Sequence, residues 1–360
     1  MEYLRSVYTK VFGENDSNIS AQEAKCINKP KIIAFGNVLL DMTVKLGDTE
    51  LLTKYNLGLD SQGEIDIEIL QNITEDLSSR TDIEYNPGGS ALNSCRILKK
   101  VGNVGCLFFG CVGQDKTAKI LKNILIDKGI ETRLQEQSDY PTGQCFCFVY
   151  GNHNCLYANV GASEKLSVDF IMDSQSKLNF LSEDGQLQFF YLEGFFVPKR
   201  TEVCKFIVEN YVSGNRKLCF NLNAPYIILE NIEIVQYLIE HSFIVFGNQN
   251  DFLALAQGYG LKAINDVVHT LLESREKILI ITNGPDEVNV FENNGEGIQH
   301  SIFPVDRVPE NEIVDITGAG DSFAAAFLDA FIGGKELSDC ITIACKIARL
   351  VVTQIGCNLP

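Results

Sequence analysis

The chain has 360 residues, 45% apolar and 21% charged, the balance of a globular protein rather than a disordered or collagen-like one. Its 30 Lys and Arg against 47 Asp and Glu leave a net charge of −17. That excess of acid speaks against a nucleic-acid partner, because phosphate backbones need clustered cations. A small phosphorylated ligand remains open, since backbone amides and a metal can hold one. Twelve Cys lie in largely apolar surroundings, only four His occur, and no Cys-x-x-Cys pair is present. Buried, reduced thiols are therefore expected rather than a zinc site, and with them a reducing compartment, the cytoplasm or nucleus. Neither a secretory leader nor a run of ~18 apolar residues is visible, so no membrane partner is expected.

In chain order, residues 1–30 are polar and weakly periodic and read as a loose extension ahead of one domain over 31–360. Residues 31–46 read as strand, turn, strand. Ile67, Leu70, Ile73 and Leu77 recur at helical spacing across 66–79. Asn86–Ser90 reads as a turn, followed by a helix that stops at Gly102. A buried strand over 104–113 and a helix over 115–128 come next. The alternating stretch 144–161, centred on Gly151-Asn152-His153-Asn154, reads as a hairpin. Short apolar runs at 189–196, 217–225, 243–248 and 277–284 then alternate with helical segments. A long helix covers Asp321–Ile332 and closes at Gly333-Gly334. This alternation implies an α/β fold on a mainly parallel sheet buried on both faces. Several of the strand runs finish at Asn or Gly: Asn37, Gly194, Asn221, Asn223, Asn248 and Asn283-Gly284. In open parallel sheets ligands bind outside these carboxyl ends.

The strongest chemical signal is Asp315-Ile316-Thr317-Gly318-Ala319-Gly320-Asp321, followed by the Ala-rich SFAAAFLDAF. The glycines sit where a loop enters a helix. The first amides of a helix have no internal acceptors and stand at the positive end of its dipole. Gly318-Ala319-Gly320 lets those amides approach an anion closely. Asp321, in the first turn, is placed to take the proton of a hydroxyl that attacks a phosphoryl group. The helix end is expected to keep Asp321 ionised and weakly basic, which suits the loose transition state of phosphoryl transfer.

Asp315–Asp321 resembles the C-terminal signature of the ribokinase-like (PfkB) carbohydrate and nucleoside kinases, and Gly88-Gly89-Ser90-Ala91-Leu92-Asn93 resembles their N-terminal signature. Within that family the finer pattern is similar to the adenosine kinases. It comprises Gly36–Asp41, Gly110–Asp115, Pro141–Gly143, Gly194–Phe196, Asn221–Pro225, Phe246–Asn248 and Gly356-Cys357, and the likeness covers about residues 31–360. The resemblance implies a ribokinase-like three-layer sandwich with a mostly parallel central sheet. A small β lid would come from about 39–66 and 140–164. It further implies ATP-dependent phosphorylation of the adenosine 5′-hydroxyl by a monomer, with Mg²⁺ and with K⁺ as a candidate activator. A kinase of another nucleoside or of a sugar, or a catalytically weak nucleoside-binding relative, stays open.

By the same resemblance, Asp321 is the base and Gly318, Ala319 and Gly320 form the anion hole. Asn37, Asp41, Gln62, Gly89, Ser90, Asn93 and Phe195 would line the nucleoside. Asn248, Asp251, Thr282, Gly284, Asp315 and Thr317 would lie on the ATP side, with Mg²⁺ reached through water near Asn248 and Asp251. Three departures stand out. The family's Asn-x-x-Glu element ends here in Asp251, one methylene shorter. Ile316 occupies a position that is usually small or Thr. The lid hairpin carries Asn154 where an Arg is usual, and a guanidinium there would stabilise transition-state charge.

Overall fold

The computed structural model of the chain describes residues 29–360 apart from positions 60, 103, 152, 184, 274 and 275. The extension expected over 1–30 thus lies outside the described residues except for its last two. The strands are β1 (Ile32–Phe35), β2 (Leu39–Lys45), β3 (Gln62–Glu64), β4 (Glu84–Gly88), β5 (Cys106–Gly113), β6 (Glu131–Gln137), β7 (Thr142–Tyr150), β8 (His153–Gly161), β9 (Gln188–Glu193), β10 (Arg216–Asn221), β11 (Ser242–Asn248), β12 (Lys277–Thr282), β13 (Glu287–Asn293) and β14 (Ile298–Pro304). The helices are α1 (Glu50–Lys54), α2 (Ile67–Asp76), α3 (Ser90–Val101), α4 (Lys116–Asp127), α5 (Val168–Leu178), α6 (Thr201–Tyr211), α7 (Pro225–Glu230), α8 (Ile232–His241), α9 (Gln249–Gly258), α10 (Ile264–Leu272), α11 (Ala319–Ile332) and α12 (Leu337–Val351).

Nine strands form one sheet in the order β14-β13-β12-β11-β10-β9-β1-β5-β6. Neighbours from β12 through to β6 pair in parallel, and β13 and β14 add an antiparallel edge. Side chains alternate between the faces of a strand. In β1, Ile32 and Ala34 enter one buried cluster with Ile97 of α3 and Phe327 of α11. Ile33 and Phe35 enter another with Ile207 of α6 and Phe252 of α9. Both faces are therefore covered by helices, which is the expected α/β sandwich. From the central β1 the chain goes to β5 on one side and reaches β9 on the other. That reversal opens a crevice at the carboxyl ends of the strands.

A second sheet of five strands runs in the order β3-β8-β7-β2-β4. Its strand β2 leaves β1 after three residues, and Ser163 pins the crossing by accepting the Val38 amide at 2.9 Å. Asp115, the N-cap of α4, fastens the start of β7. It accepts from the Thr142 amide at 2.7 Å and the Thr142 hydroxyl at 2.8 Å. Glu84–Gly88, expected to lie partly in a turn, is instead strand β4, paired antiparallel with β2 at the sheet's edge. An edge strand tolerates Pro87, whose missing N–H would break an interior ladder.

Helix α11 begins at Ala319, two residues earlier than expected, because Gly318 caps it in the left-handed region at φ 79°. Strand β6, the β13–β14 hairpin and helices α5 and α12 answer to no specific sequence expectation. Eleven described cysteines are free thiols. Among the described residues no helix is long and apolar enough to cross a membrane.

Candidate active site

Helix α11 packs against α3, which brings the starts of the two glycine signatures together at the mouth of the sheet. The Ser90 hydroxyl donates to Asp321 Oδ1 at 2.7 Å, and Asn93 Nδ2 donates to Asp321 Oδ2 at 3.0 Å. Ser94 Oγ adds a bond to the Asp321 carbonyl at 3.0 Å. Each carboxylate oxygen thus accepts one bond from a residue about 230 positions away, which fixes its orientation. Burial nevertheless pushes Asp321 above the usual carboxylate range. The bonds from Ser90 and Asn93 and the charge of Arg96 oppose that rise without cancelling it. The expectation of a weakly basic carboxylate is corrected here: desolvation outweighs the two hydrogen bonds and the charge of Arg96.

The loop before α11 presents unused donors. Ala319 donates to the Ile316 carbonyl and Ser322 to that of Gly318. The amides of Gly318, Gly320 and Asp321 have no acceptor among the described residues. Gly320 is exposed, and a Cβ there would meet nothing within 4 Å. A Cβ on Gly318 would lie 2.3 Å from Cys357 Cβ, so only glycine lets the C-terminal loop pass. Asp315 builds this contact: it accepts from the Thr317 amide and from the Gly356 amide, each at 2.9 Å.

The residues expected on the nucleoside side fall into two groups. Asp41 projects from β2 against Gly88, where a Cβ would come within 2.0 Å of its carboxylate. No hydrogen bond reaches that carboxylate from the described residues. Burial pushes Asp41 up to about 7, opposed by Arg96 and reinforced by Asp321 and Asp315. Phe195 is half-buried, its ring 6.4 Å from that of Tyr226, whereas Phe196 is buried against Phe35 and Arg200. Ser90, expected on the sugar, is engaged with Asp321, and Asn223 Nδ2 donates to it at 2.8 Å.

Asn37 is held at both ends of its amide. Its Nδ2 donates to the Phe195 carbonyl at 2.9 Å and its Oδ1 accepts from Arg200 at 2.8 Å, so it shapes the loop under Phe195. Gly89 adopts φ 105°, and a Cβ there would lie 2.1 Å from the Asn37 carbonyl. The side chains of Gln62 and Asn154 lie outside the described residues.

On the opposite flank, Asn248 and Asp251 form a reciprocal cap at the start of α9. Asp251 accepts from the Asn248 amide at 2.9 Å, and Asn248 accepts from the Asp251 amide at 3.0 Å. Asp251 Oδ1 is buried without a partner, and burial pushes the group to about 6. Thr282 ends β12 beside Asn248, its hydroxyl 3.4 Å from the Gly247 carbonyl, and Gly284 turns at φ 55° into open space. No cluster of three ligating side chains occurs among the described residues. The orphaned Asp251 oxygen fits a cation held chiefly by phosphate and water.

Sequence reasoning missed Arg96, Asn358, Arg200 and Glu193, and marked Asn223 only as a strand-end residue. Arg96, Asn358 and Arg200 are joined to the site by long-range bonds that leave no local spacing signal. Glu193, at the end of β9, is fully buried, and burial pushes it to about 8 against the charge of Arg200 and the backbone amides of Phe195 and Asn37.

The profile of the pfkB family of carbohydrate kinases matches residues 59–360. The chain belongs to that family. This pfkB chain is 29% identical over 342 residues to the adenosine kinase of Schizophyllum commune, covering 91% of this chain and 96% of the relative. Among solved structures it resembles Anopheles gambiae adenosine kinase in complex with a di(adenosine) tetraphosphate. There the TM-score is 0.75 at 27% identity, over 92% of this chain and 98% of the other. It also resembles adenosine kinase from Schistosoma mansoni in complex with 2-fluoroadenosine, with a TM-score of 0.76 at 25% identity, over 93% of this chain and 98% of the other.

Proposed function

We infer that this chain transfers the terminal phosphoryl group of ATP to the 5′-hydroxyl of adenosine, giving AMP and ADP. The observation that carries the reading is the junction at Asp321. A carboxylate held by both glycine signatures stands beside three backbone amides with no internal acceptor. Its relatives named adenosine kinase match along nearly their whole length.

Asp321 keeps unused lone pairs beside the two bonds it accepts, and it takes the proton as the 5′-oxygen forms its bond to phosphorus. The bond from that phosphorus to the bridging oxygen breaks, and ADP leaves. The raised basicity of Asp321 matches it better to a proton transfer near neutral pH than an ordinary carboxylate. The free amides of Gly318, Gly320 and Asp321 are suited to charge on the migrating group. Asp41, an acceptor without a donor, suits a pair of vicinal ribose hydroxyls. The half-buried ring of Phe195 offers the base an apolar wall. Asn248, Asp251, Thr282, Gly284, Asp315 and Thr317 form the nucleotide flank. Mg²⁺ bound to ATP would neutralise phosphate charge there, and Asn248 and Asp251 would hold it through water.

We assign the second sheet the role of a lid. The cavity between its Asp41, Thr43 and Cys147 and the loops at Thr317 and Asn358 is only about 40 Å³. In that role the sheet would move aside to admit adenosine and close over it to exclude water. The larger cavity of about 650 Å³, between the starts of α5 and α6, contains no signature residue. One chain supplies every group named, so a monomer suffices. The free thiols suit a reducing compartment such as the cytoplasm or nucleus.

A coupled assay of ADP formation with Mg²⁺ and ATP tests the reading on adenosine, inosine, other nucleosides and ribose. Adenosine should be the best acceptor. Equal rates with ribose would redirect the assignment to a sugar kinase, and tight adenosine binding without ADP would remove the catalytic claim.

A further inference from the structure

Arg96 lies one helical turn beyond Asn93 on α3, with 5% of its surface exposed. Its guanidinium ties three segments together. Nη1 donates to the Pro87 carbonyl of β4 at 2.7 Å and to Asn93 Oδ1 at 2.9 Å, while Nη2 donates to Asn358 Oδ1 of the C-terminal loop at 2.8 Å. With Oδ1 of Asn93 committed to Arg96, the Asn93 amide nitrogen is turned toward Asp321.

The charged and titratable groups around Arg96 come from every neighbouring element. They are Asp41 on β2, Asp321 on α11 and Cys357 in the C-terminal loop, with Lys100 on α3 and Lys128 after α4. Asp315 adds its negative charge at Asp41. A guanidinium buried this deeply is sustained only by opposite charge and filled hydrogen bonds, and Asp41 and Asp321 supply that charge.

We propose that Arg96 is a positioning residue for phosphoryl transfer, orienting the Asn93 amide toward Asp321 and lending its positive charge to the two carboxylates the reaction uses. The inference rests on the kinase reading above. Arg96 is not on the lid hairpin that lacks the family's Arg: it sits on α3, three of its five N–H groups are bound to Pro87, Asn93 and Asn358, and it lines the cavity beside Asp41. It acts through Asn93 and through its field. Burial drives both Asp41 and Asp321 toward the neutral acid, and in each case Arg96 is the cation that resists this.

The test is the pH profile of kcat/KM and the value of kcat for the full-length wild type, Arg96→Lys and Arg96→Met. A thermal melt and adenosine binding for each protein accompany the kinetics. Arg96→Met should lose about 100-fold in kcat at neutral pH, the scale of lost charge-assisted hydrogen bonds. Its acid limb should move up by about one pH unit, as loss of a nearby cation requires. Arg96→Lys, which keeps the charge but not the fork, should hold the acid limb in place while kcat falls about tenfold. A folded Arg96→Met with unmoved limb and near wild-type kcat overturns the inference, and so does a limb that moves equally in both variants. Should Arg96→Met not fold, Arg96→Lys decides alone. A fixed limb with reduced kcat supports the inference; a moved limb or an unchanged kcat overturns it. A wild type that forms no ADP from adenosine would overturn the kinase reading itself, a result separable from silent variants beside an active wild type.

Discussion

Asp321 and Asp41 are both carboxylates that burial drives upward, and the charge of Asp321 adds to the rise at Asp41. They differ in what holds them. Asp321 sits on the first turn of a rigid helix with a donor on each oxygen, and those donors arrive from the other signature. Asp41 sits on a strand of the small sheet and receives no hydrogen bond among the described residues. The end we assign to phosphoryl transfer is thus preorganised by the fold. The end assigned to the sugar lacks its donors until a ligand brings them. Preorganised groups need not rearrange during the reaction, whereas an unsatisfied acceptor gains most from a ligand that satisfies it.

Four substitutions break or sharpen that contrast. Gly318→Ala strikes the preorganised end hardest, because the new methyl meets Cys357 at a left-handed backbone position. The loop must shift, and kcat should fall about 1000-fold with the amides displaced, measured by rapid quench. Asp41→Asn strikes the other end. Loss of a charged acceptor for two hydroxyls should cut kcat/KM about 100-fold while kcat changes far less. Because burial places Asp41 at about 7, wild-type kcat/KM should fall as the pH drops below that value, and Asp41→Asn should lose this limb.

Asn223→Ala removes the donor behind Ser90. About a tenfold loss in kcat is expected, with adenosine affinity retained, from one buried hydrogen bond. The last effect is on stability rather than on rate. Glu193 has an ordinary value of 4.5 and is raised to about 8 in the fold. The unfolded chain ionises first, so stability falls as pH rises between those values and levels off above them. Glu193→Gln should flatten that decline in thermal melts recorded from pH 5 to 9. The difference should be no more than about 1.4 kcal/mol per pH unit.

The parts legible in the sequence are those where a local rule decides. Gly318 and Gly89 stand where positive φ or a close backbone approach leaves no other residue, and the apolar runs of β9 through β12 are buried on both faces. Strand β4 was hidden because Asn86-Pro87-Gly88 has turn composition, and only its place at a sheet edge makes it a strand. Strand β6 and the β13–β14 hairpin are half-exposed and mix charge with apolar residues, so their periodicity is weak.

The network around Asp321 was legible only at its two ends. Asn223 lies 133 positions from Ser90, and Arg96 lies 262 from Asn358. Bonds across such separations leave no spacing to read. Nor did local reasoning foresee the desolvation of Asp321, because that depends on which chains pack over the helix end.

The most direct measurement is a single-turnover rapid quench of Asp321→Asn with saturating adenosine and Mg²⁺–ATP, alongside its adenosine affinity. The account predicts a rate at least ~1000-fold below wild type, in the range lost with a general base, with affinity within a few-fold. Phosphoryl transfer at the wild-type rate would contradict it, since the proton would then have another acceptor.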